Sequence, residues 1–305
     1  MDEALLVWIN QGWAGAGLDA MMPVVGTVGL ALCPAAGVAL VAAGRRRRDE
    51  RLGRLGWALL AALAVGLALT LLTQYVALRA RPEGVRLIEP RPNFPSFPSG
   101  HAMAVFATAT VLGLGLGRRA GWPALGLAVM VSVSRVYQGH HYPTDVVAGA
   151  ALGAGVGAAA FGLVVRREGA GRWRWLLWPQ LAMVVVVSVA AYVDALPLWL
   201  LRVPGLDKVL HFTMFGLVAF LLHGWLRRRP RLSERAAALA AVGVPFAAAA
   251  LEEAAQGLSR VRTVDGGDLA ADLAGMVVCV GISVLKRETK KKKEKEKKAI
   301  AGRLA

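Results

Sequence analysis

An all-α polytopic membrane protein with about nine transmembrane helices is the fold class this chain predicts, on three observations. Of its 305 residues, 56% are hydrophobic and only 18% are charged. Apolar runs of the roughly 20 residues needed to cross about 30 Å of hydrocarbon recur from end to end. Arginines gather between alternate runs, the pattern of loops that share one side of a membrane. A mean hydropathy of +0.51 is beyond that of an ordinary soluble domain.

Residues 1–19 read as an amphipathic lead-in. Met1-Asp2-Glu3 puts acid where a cleavable signal peptide carries basic residues, so no such peptide is expected. The candidate spans follow at roughly 20–43, 56–79, 99–117, 122–139, 145–165, 175–195, 208–226, 236–253 and 268–285. Basic clusters lie at Arg45 to Arg48 with Arg51 and Arg54, at Arg118-Arg119, at Arg166-Arg167 with Arg172 and Arg174, at Arg227 to Arg229 with Arg231 and Arg235, and after Lys286. Each follows an odd-numbered span, which predicts an external N-terminus and a cytoplasmic C-terminus.

The formal charge of +16 therefore reports topology. It is scattered over loops and forms no basic face on a soluble domain, so nucleic acid is not an expected partner. Cys33 and Cys279 fall inside spans and read as inert packing residues, with no disulfide and no metal. The tail, residues 286–305, reads as a disordered, solvated cytoplasmic end, because Lys208 is the one lysine before Lys286 and lysine then dominates.

Chemistry concentrates in two short stretches, Pro98-Ser99-Gly100-His101 and Ser134-Arg135 with His141 and Asp145. The topology puts both, with Arg81-Pro82, at the outer ends of spans two to five. Phosphoryl transfer asks a protein for positive charge and oriented donors around the equatorial oxygens, an in-line nucleophile, and an acid for the leaving oxygen. Arg81 and Arg135 offer planar bidentate donors. Ser99 offers a hydroxyl, and the N–H groups of Gly100 and His101 open a helix whose positive end favours an anion. His141 and Asp145 are four apart on one helical face, so the carboxylate can hold one ring nitrogen and leave the other as nucleophile. His101 is then placed to act as acid. The neighbouring His140 reads as structural, and Gly149, Gly153 and Gly157 read as close helix packing.

These residues resemble the type 2 phosphatidic acid phosphatase family, whose signature is Lys-x6-Arg-Pro, Pro-Ser-Gly-His and Ser-Arg-x5-His-x3-Asp. The likeness spans about residues 20–195, and its second and third parts are complete. It implies a six-helix lipid phosphatase bundle and metal-independent, cofactor-free hydrolysis of a lipid phosphate or pyrophosphate through a phosphohistidine. By that resemblance His141 is the nucleophile, His101 the general acid and Asp145 the orienter of His141, with Arg81, Ser99, Gly100 and Arg135 holding phosphate. The first part departs: Gln74 stands at the lysine position, able to hydrogen-bond to phosphate but uncharged, so Arg79 or Arg86 is a candidate for the missing charge. A phosphotransferase and a non-catalytic lipid- or antibiotic-binding envelope protein are alternatives.

Residues 197–285 form a separate unit of three spans with polar groups at the outer ends: Lys208 and His211, then Glu253 and Gln256, then Asp268 and Asp272. With Arg262 they resemble the VanZ-like family, and they are read either as a ligand site or as a salt-bridge network in which Lys208 and His211 neutralise Glu253 and Asp268. The expected partners are the bilayer and a lipid phosphate, with undecaprenyl pyrophosphate, phosphatidic acid and phosphatidylglycerol phosphate as candidates, and a second copy of the chain is a further possible partner. The expected place is a bacterial plasma membrane, with the site on the outer face and residues 20–196 forming the phosphatase domain.

Overall fold

The structure, a computed structural model, describes residues 2–166, 172–193, 205–256 and 265–304, with side chains as far as residue 285. The described residues are helical throughout their regular elements. A short α1 (Asp2–Asn10) precedes α2 (Ala16–Arg47), α3 (Glu50–Ala77), α4 (Gly100–Leu116), α5 (Arg118–Tyr137), α6 (Pro143–Ala160) and α7 (Arg172–Tyr192). A π-helical stretch, Phe161–Arg166, extends α6. Then come α8 (Leu206–Leu226), α9 (Glu234–Gln256) and α10 (Gly266–Leu304).

Helices α2 to α10 occupy the nine expected segments, but seven of them are long and apolar enough to cross a membrane by length and composition. The two that fall short are α4, with 17 residues, and α5, which opens on Arg118-Arg119 and closes on Ser132, Ser134 and Arg135. Both are shortened or polarised by the motifs they carry. The tail also departs from expectation, since α10 runs on to Leu304. Lysine, glutamate and alanine are strong helix formers, and Lys290 precedes Glu294 by one turn in a run that continues an existing helix without a new nucleation cost.

The chain divides into two compact units, Met1–Leu200 and Leu201–Ala305. In the first, α4 is central, packed on α3, α5 and α6, while α2 lies on α3 and α7 on α6. Leu59, Ala62, Met103, Ala107, Leu152 and Val156 fill its core. Leu72 and Tyr75 of α3 point outward, 62% and 74% exposed, as a lipid-facing surface requires. In the second unit α8 and α10 pack along their length and α9 closes the core around Ala219, Ala241 and Met276.

The contact between α4 and α6 positions the site. A Cβ on Gly149, Gly153 or Gly157 would lie 2.3, 2.1 and 2.8 Å from the carbonyl oxygens of Ser99, Met103 and Ala107. Two rows of residues spaced four apart thus meet backbone to backbone, as the glycine ladder predicts. This draws the start of α4 against the start of α6, where the Ser99 N–H donates to the Asp145 carbonyl at 3.0 Å.

Candidate active site

The C-terminal ends of α3 and α5 and the N-terminal ends of α4 and α6 meet, which gathers the motifs despite their separation in sequence. Ser99 and Asp145 are fully buried and His141, Arg135 and Arg81 nearly so. Charged groups persist at such depth only when paired or hydrogen-bonded.

His141 lies in the short turn between α5 and α6. Arg81 Nη1 approaches its Nε2 at 3.3 Å. A guanidinium only donates, so Nε2 presents a lone pair and the ring proton belongs on Nδ1. Nδ1 faces Asp145 Oδ2 at 3.5 Å, a long contact that leaves it short of a full hydrogen bond. Burial pushes the His141 imidazole below its ordinary value, against the pull of Asp145, which keeps the ring neutral.

Asp145 is itself held in place. Its Oδ2 accepts the Tyr142 N–H at 3.0 Å, completing a capping box at the start of α6. Its Oδ1 accepts from Arg79 Nη1, which also donates to Thr144 Oγ1 at 2.9 Å. Arg79 Nη2 pairs with Asp2 at 2.8 Å, and Asp2 in turn accepts from the Thr144 N–H at 3.1 Å and hydroxyl at 2.5 Å. The lead-in is therefore part of the site: α1 reaches the carboxylate that orients His141. Asn10, fully buried at the other end of α1, donates to the carbonyls of Arg86 and Tyr137 and accepts the Arg86 N–H.

The arginines divide their labour. Of the five N–H donors of Arg81, four are taken by protein, through the carbonyls of Phe94, Pro95 and His140 and the ring of His141. Burial and the nearby Arg135 lower it to about 10, so it stays charged at neutral pH. Arg135 donates to His140 Nδ1 and to Gln138 Oε1, and its buried Nε has no partner. His140 then donates from Nε2 to the Glu89 carbonyl at 3.2 Å, so this histidine braces Arg135 in the neutral form. Burial and Arg135 push it down to about 4.

Ser99 precedes α4 but its side chain makes no cap, and the buried Oγ has no partner. Gly100 and His101 start the helix, and His101 lies within electrostatic reach of Arg135, His141, His140 and Arg81. Ser99 Oγ, Arg135 Nε and the opening N–H groups of α4 are thus uncommitted donors in a buried, cationic place. That is what a phosphoryl group needs.

Three residues offered for phosphate have protein partners. Gln74 is buried, and its amide donates to the Pro98 carbonyl at 3.1 Å, fixing the Pro-Ser-Gly-His turn. Arg86 is committed to Asp19 at 2.6 Å and to the Asn10 carbonyl. Arg79 is committed to Asp2 and Asp145. Both arginines are thus paired with acids. Sequence reasoning missed Asp2, Asn10 and Gln138, whose amide reaches the Met22 carbonyl at 3.1 Å, because each acts across a long loop.

In the second unit, Lys208 stands among Asp207, Asp265 and Asp268, and its ammonium takes the place a cation would hold between the three carboxylates. His211 Nδ1 meets Asp272 at 3.0 Å and its Nε2 lies 3.7 Å from Asp268. Lys208 and Asp268 pair as expected, but Glu253 instead accepts the Asp265 N–H and Gln256 donates to Glu252 at 2.9 Å. Arg262 lies outside the described residues.

Comparison with known proteins bears on the first unit. The PAP2 superfamily model matches residues 54–168, which hold all of the motif residues from Gln74 to Asp145. A decaprenylphosphoryl-5-phosphoribose phosphatase of Mycobacterium tuberculosis is 36% identical over 138 residues, 44% of this chain and 69% of that protein. The chain belongs to the PAP2 superfamily. Another relative, an undecaprenyl-diphosphatase of Sulfolobus acidocaldarius, is 38% identical over 110 residues, and the chain spans 52% of its length and 34% of its own. The solved structure of LpxE from Aquifex aeolicus overlaps 52% of this chain and 94% of that one, at 24% identity and a TM-score of 0.43. The PAP2 match starts inside α3 and ends after the π-helical stretch, so α1, whose Asp2 and Asn10 brace the site, lies outside it.

Proposed function

We propose that this protein is an integral membrane phosphatase that removes the terminal phosphate of a lipid phosphate or diphosphate through a phosphohistidine. One observation carries the reading: Arg81 donates to His141 Nε2 while Asp145 faces Nδ1, so a buried, neutral ring presents its lone pair beside uncommitted donors.

In this reading His101, which burial and Arg135 push down to about 3, takes up a proton with the anionic substrate. His141 Nε2 attacks phosphorus, the N–P bond forms and the bond to the lipid oxygen breaks, and His101 gives that oxygen the proton. Asp145 holds the imidazolium as charge develops. Ser99, Arg135 and the start of α4 take the equatorial oxygens, and the one spare donor of Arg81 joins them. Water then attacks the phosphohistidine and returns its proton to His101, and inorganic phosphate leaves. Membership of the PAP2 superfamily supports this, as do relatives that are an undecaprenyl-diphosphatase and a decaprenylphosphoryl-5-phosphoribose phosphatase.

The arginine clusters support an external site in a bacterial plasma membrane, with residues 20–196 as catalytic domain and 197–285 as a VanZ-like accessory unit braced by the Lys208 network. Substrate candidates are undecaprenyl pyrophosphate, phosphatidic acid and phosphatidylglycerol phosphate. The test is phosphate release in detergent with excess chelator, wild type against His141→Ala, with labelled substrate quenched in alkali to preserve a phosphohistidine. Activity that survives in His141→Ala refutes the mechanism, and no release from any of the three lipids refutes the phosphatase reading.

A further inference from the structure

Where α4 ends and α5 begins, the two helices touch through a pair of glycines. A Cβ on Gly121 would lie 2.9 Å from the Gly113 Cα, so the backbones meet there. Beside that contact runs an open groove of about 320 Å³. Its size falls at the lower end of the roughly 300–1,000 Å³ of ligand pockets. Thr110 and Arg118 are its polar members, and the other lining residues are apolar or glycine. Ala109, Gly113 and Gly121 keep it open by being small, while Leu114 and Trp122, 42% and 68% exposed, stand at its rim. From Phe106 to Leu114 the groove follows α4 for about 12 Å at 1.5 Å per residue. An extended hydrocarbon chain fits such a surface.

One end of the groove is cationic. Arg118, the first residue of α5, lines it, is exposed, and makes no ion pair or hydrogen bond with any described residue. Arg119 follows, and the first turn of α5 contains no acid. Positive side chains at a helix N-terminus add to the positive end of the macrodipole, so an anion is favoured here. A neutral lipid would use the groove without Arg118, and a small soluble anion would use Arg118 without the groove. A molecule apolar along its length and anionic at one end uses both. Trp122, one turn into α5, is of the type enriched at the headgroup level of a bilayer. The candidate active site lies at the other end of the same two helices. α5 has 20 residues, so Arg118 and Arg135, near its two ends, stand about 25 Å apart. A phosphate at Arg118 is therefore not the phosphate that faces His141.

We propose that the α4–α5 groove holds an anionic phospholipid of the bilayer, in the leaflet away from the candidate active site. One acyl chain lies along the groove past Gly113 and Gly121, and the phosphate meets Arg118. The lipid joins the two helices whose other ends carry Ser99, His101 and Arg135. No catalysis is needed for this site, and lipid binding tests it without turnover.

The experiment uses the full chain in detergent and native mass spectrometry with an equimolar mixture of dioleoyl phosphatidylglycerol and dioleoyl phosphatidylcholine. The wild type should retain phosphatidylglycerol about fivefold over phosphatidylcholine, the worth of one basic residue near an anionic headgroup. Arg118→Gln should bring that ratio near one, and Arg118→Lys should keep most of it. Arg119→Gln, beside the groove but not lining it, should change the ratio less than about twofold. A second arm locates the chain. Phosphatidylglycerol with brominated acyl chains should quench tryptophan emission, and Trp122→Phe should remove more of the quenched emission than an even share among the nine tryptophans. In lipid-free detergent each variant should unfold at the wild-type temperature, which keeps a folding defect apart from a loss of binding. Equal losses in Arg118→Gln and Arg119→Gln would show diffuse surface charge and overturn the site. Equal retention of the two lipids by the wild type, displacement of phosphatidylglycerol by inorganic phosphate, or quenching that spares Trp122 would overturn it as well.

Discussion

Arg79 joins Asp145 to Asp2, so the carboxylate facing His141 is held by a guanidinium that α1 holds in turn. Asp145 is fully buried and has both oxygens occupied on the side away from the ring, by Arg79 and by the Tyr142 N–H. Removing one member of a buried pair strands the other, at a cost of about 3–5 kcal/mol. Arg79→Gln should therefore lower the melting temperature and reduce kcat by about tenfold or more, with KM nearly constant, because Arg79 acts through Asp145. Asp2→Asn, which leaves the Asp145 pair intact, should cost only a few-fold in kcat, roughly the worth of a partly exposed contact. A matching rise in KM for Arg79→Gln would assign Arg79 to the phosphate instead.

Ser99 separates folding from function. Its buried Oγ has no partner in the folded protein, so deleting it removes an unpaid desolvation penalty of about 1–3 kcal/mol. Ser99→Ala should leave the melting temperature unchanged or raised, while kcat/KM falls by about tenfold through loss of one phosphate donor. A drop in stability with activity retained would make the hydroxyl structural.

Such roles differ in how far the sequence shows them. His141 and Asp145 were legible because one helical turn fixes their relation, and the glycines of α6 because their spacing repeats that turn. The convergence of four helix ends was legible through topology. The contact of Gln74 was not legible: counting residues back from Arg81 locates a position but says nothing of the loop that returns Pro98 to it. Asp2 and Asn10 were invisible for the same reason, since their partners lie on the loop over 78–99 or far along the chain. Nine apolar runs became seven spans by composition because α4 and α5 give up length or apolarity to carry the motifs.

The α4–α6 contact makes Gly153 the most sensitive of the ladder glycines, with Met103 O only 2.1 Å from where a Cβ would sit. Gly153→Ala must part the two helices, at about 1–3 kcal/mol or more. The same displacement pulls Ser99 from Asp145, so activity should fall further than stability alone explains. Gly126→Ala on α5, where a Cβ meets nothing within 4 Å, is the control and should stabilise by about 0.5–1 kcal/mol through helix propensity. Comparable losses in both variants would mean that α4 and α6 are less tightly apposed.

Acid should act through the buried histidines of the site, His101 and His140 among them. In the folded protein the His140 ring must be neutral to accept from Arg135, and burial with that arginine pushes it down to about 4. An unfolded imidazole holds its proton up to about 6.5, so between these values the unfolded state binds more protons and stability falls as pH falls. His141, lowered by burial, adds in the same direction. Thermal unfolding of the wild type should therefore shift down steadily from about pH 6.5 toward about pH 4, with activity falling as Arg135 loses its brace. His140→Gln should start from a lower melting temperature at neutral pH yet lose less across that window. A slope as steep as that of the wild type would place the acid sensitivity elsewhere, with the buried carboxylate network around Asp2, Arg79 and Asp145 as the next group to vary.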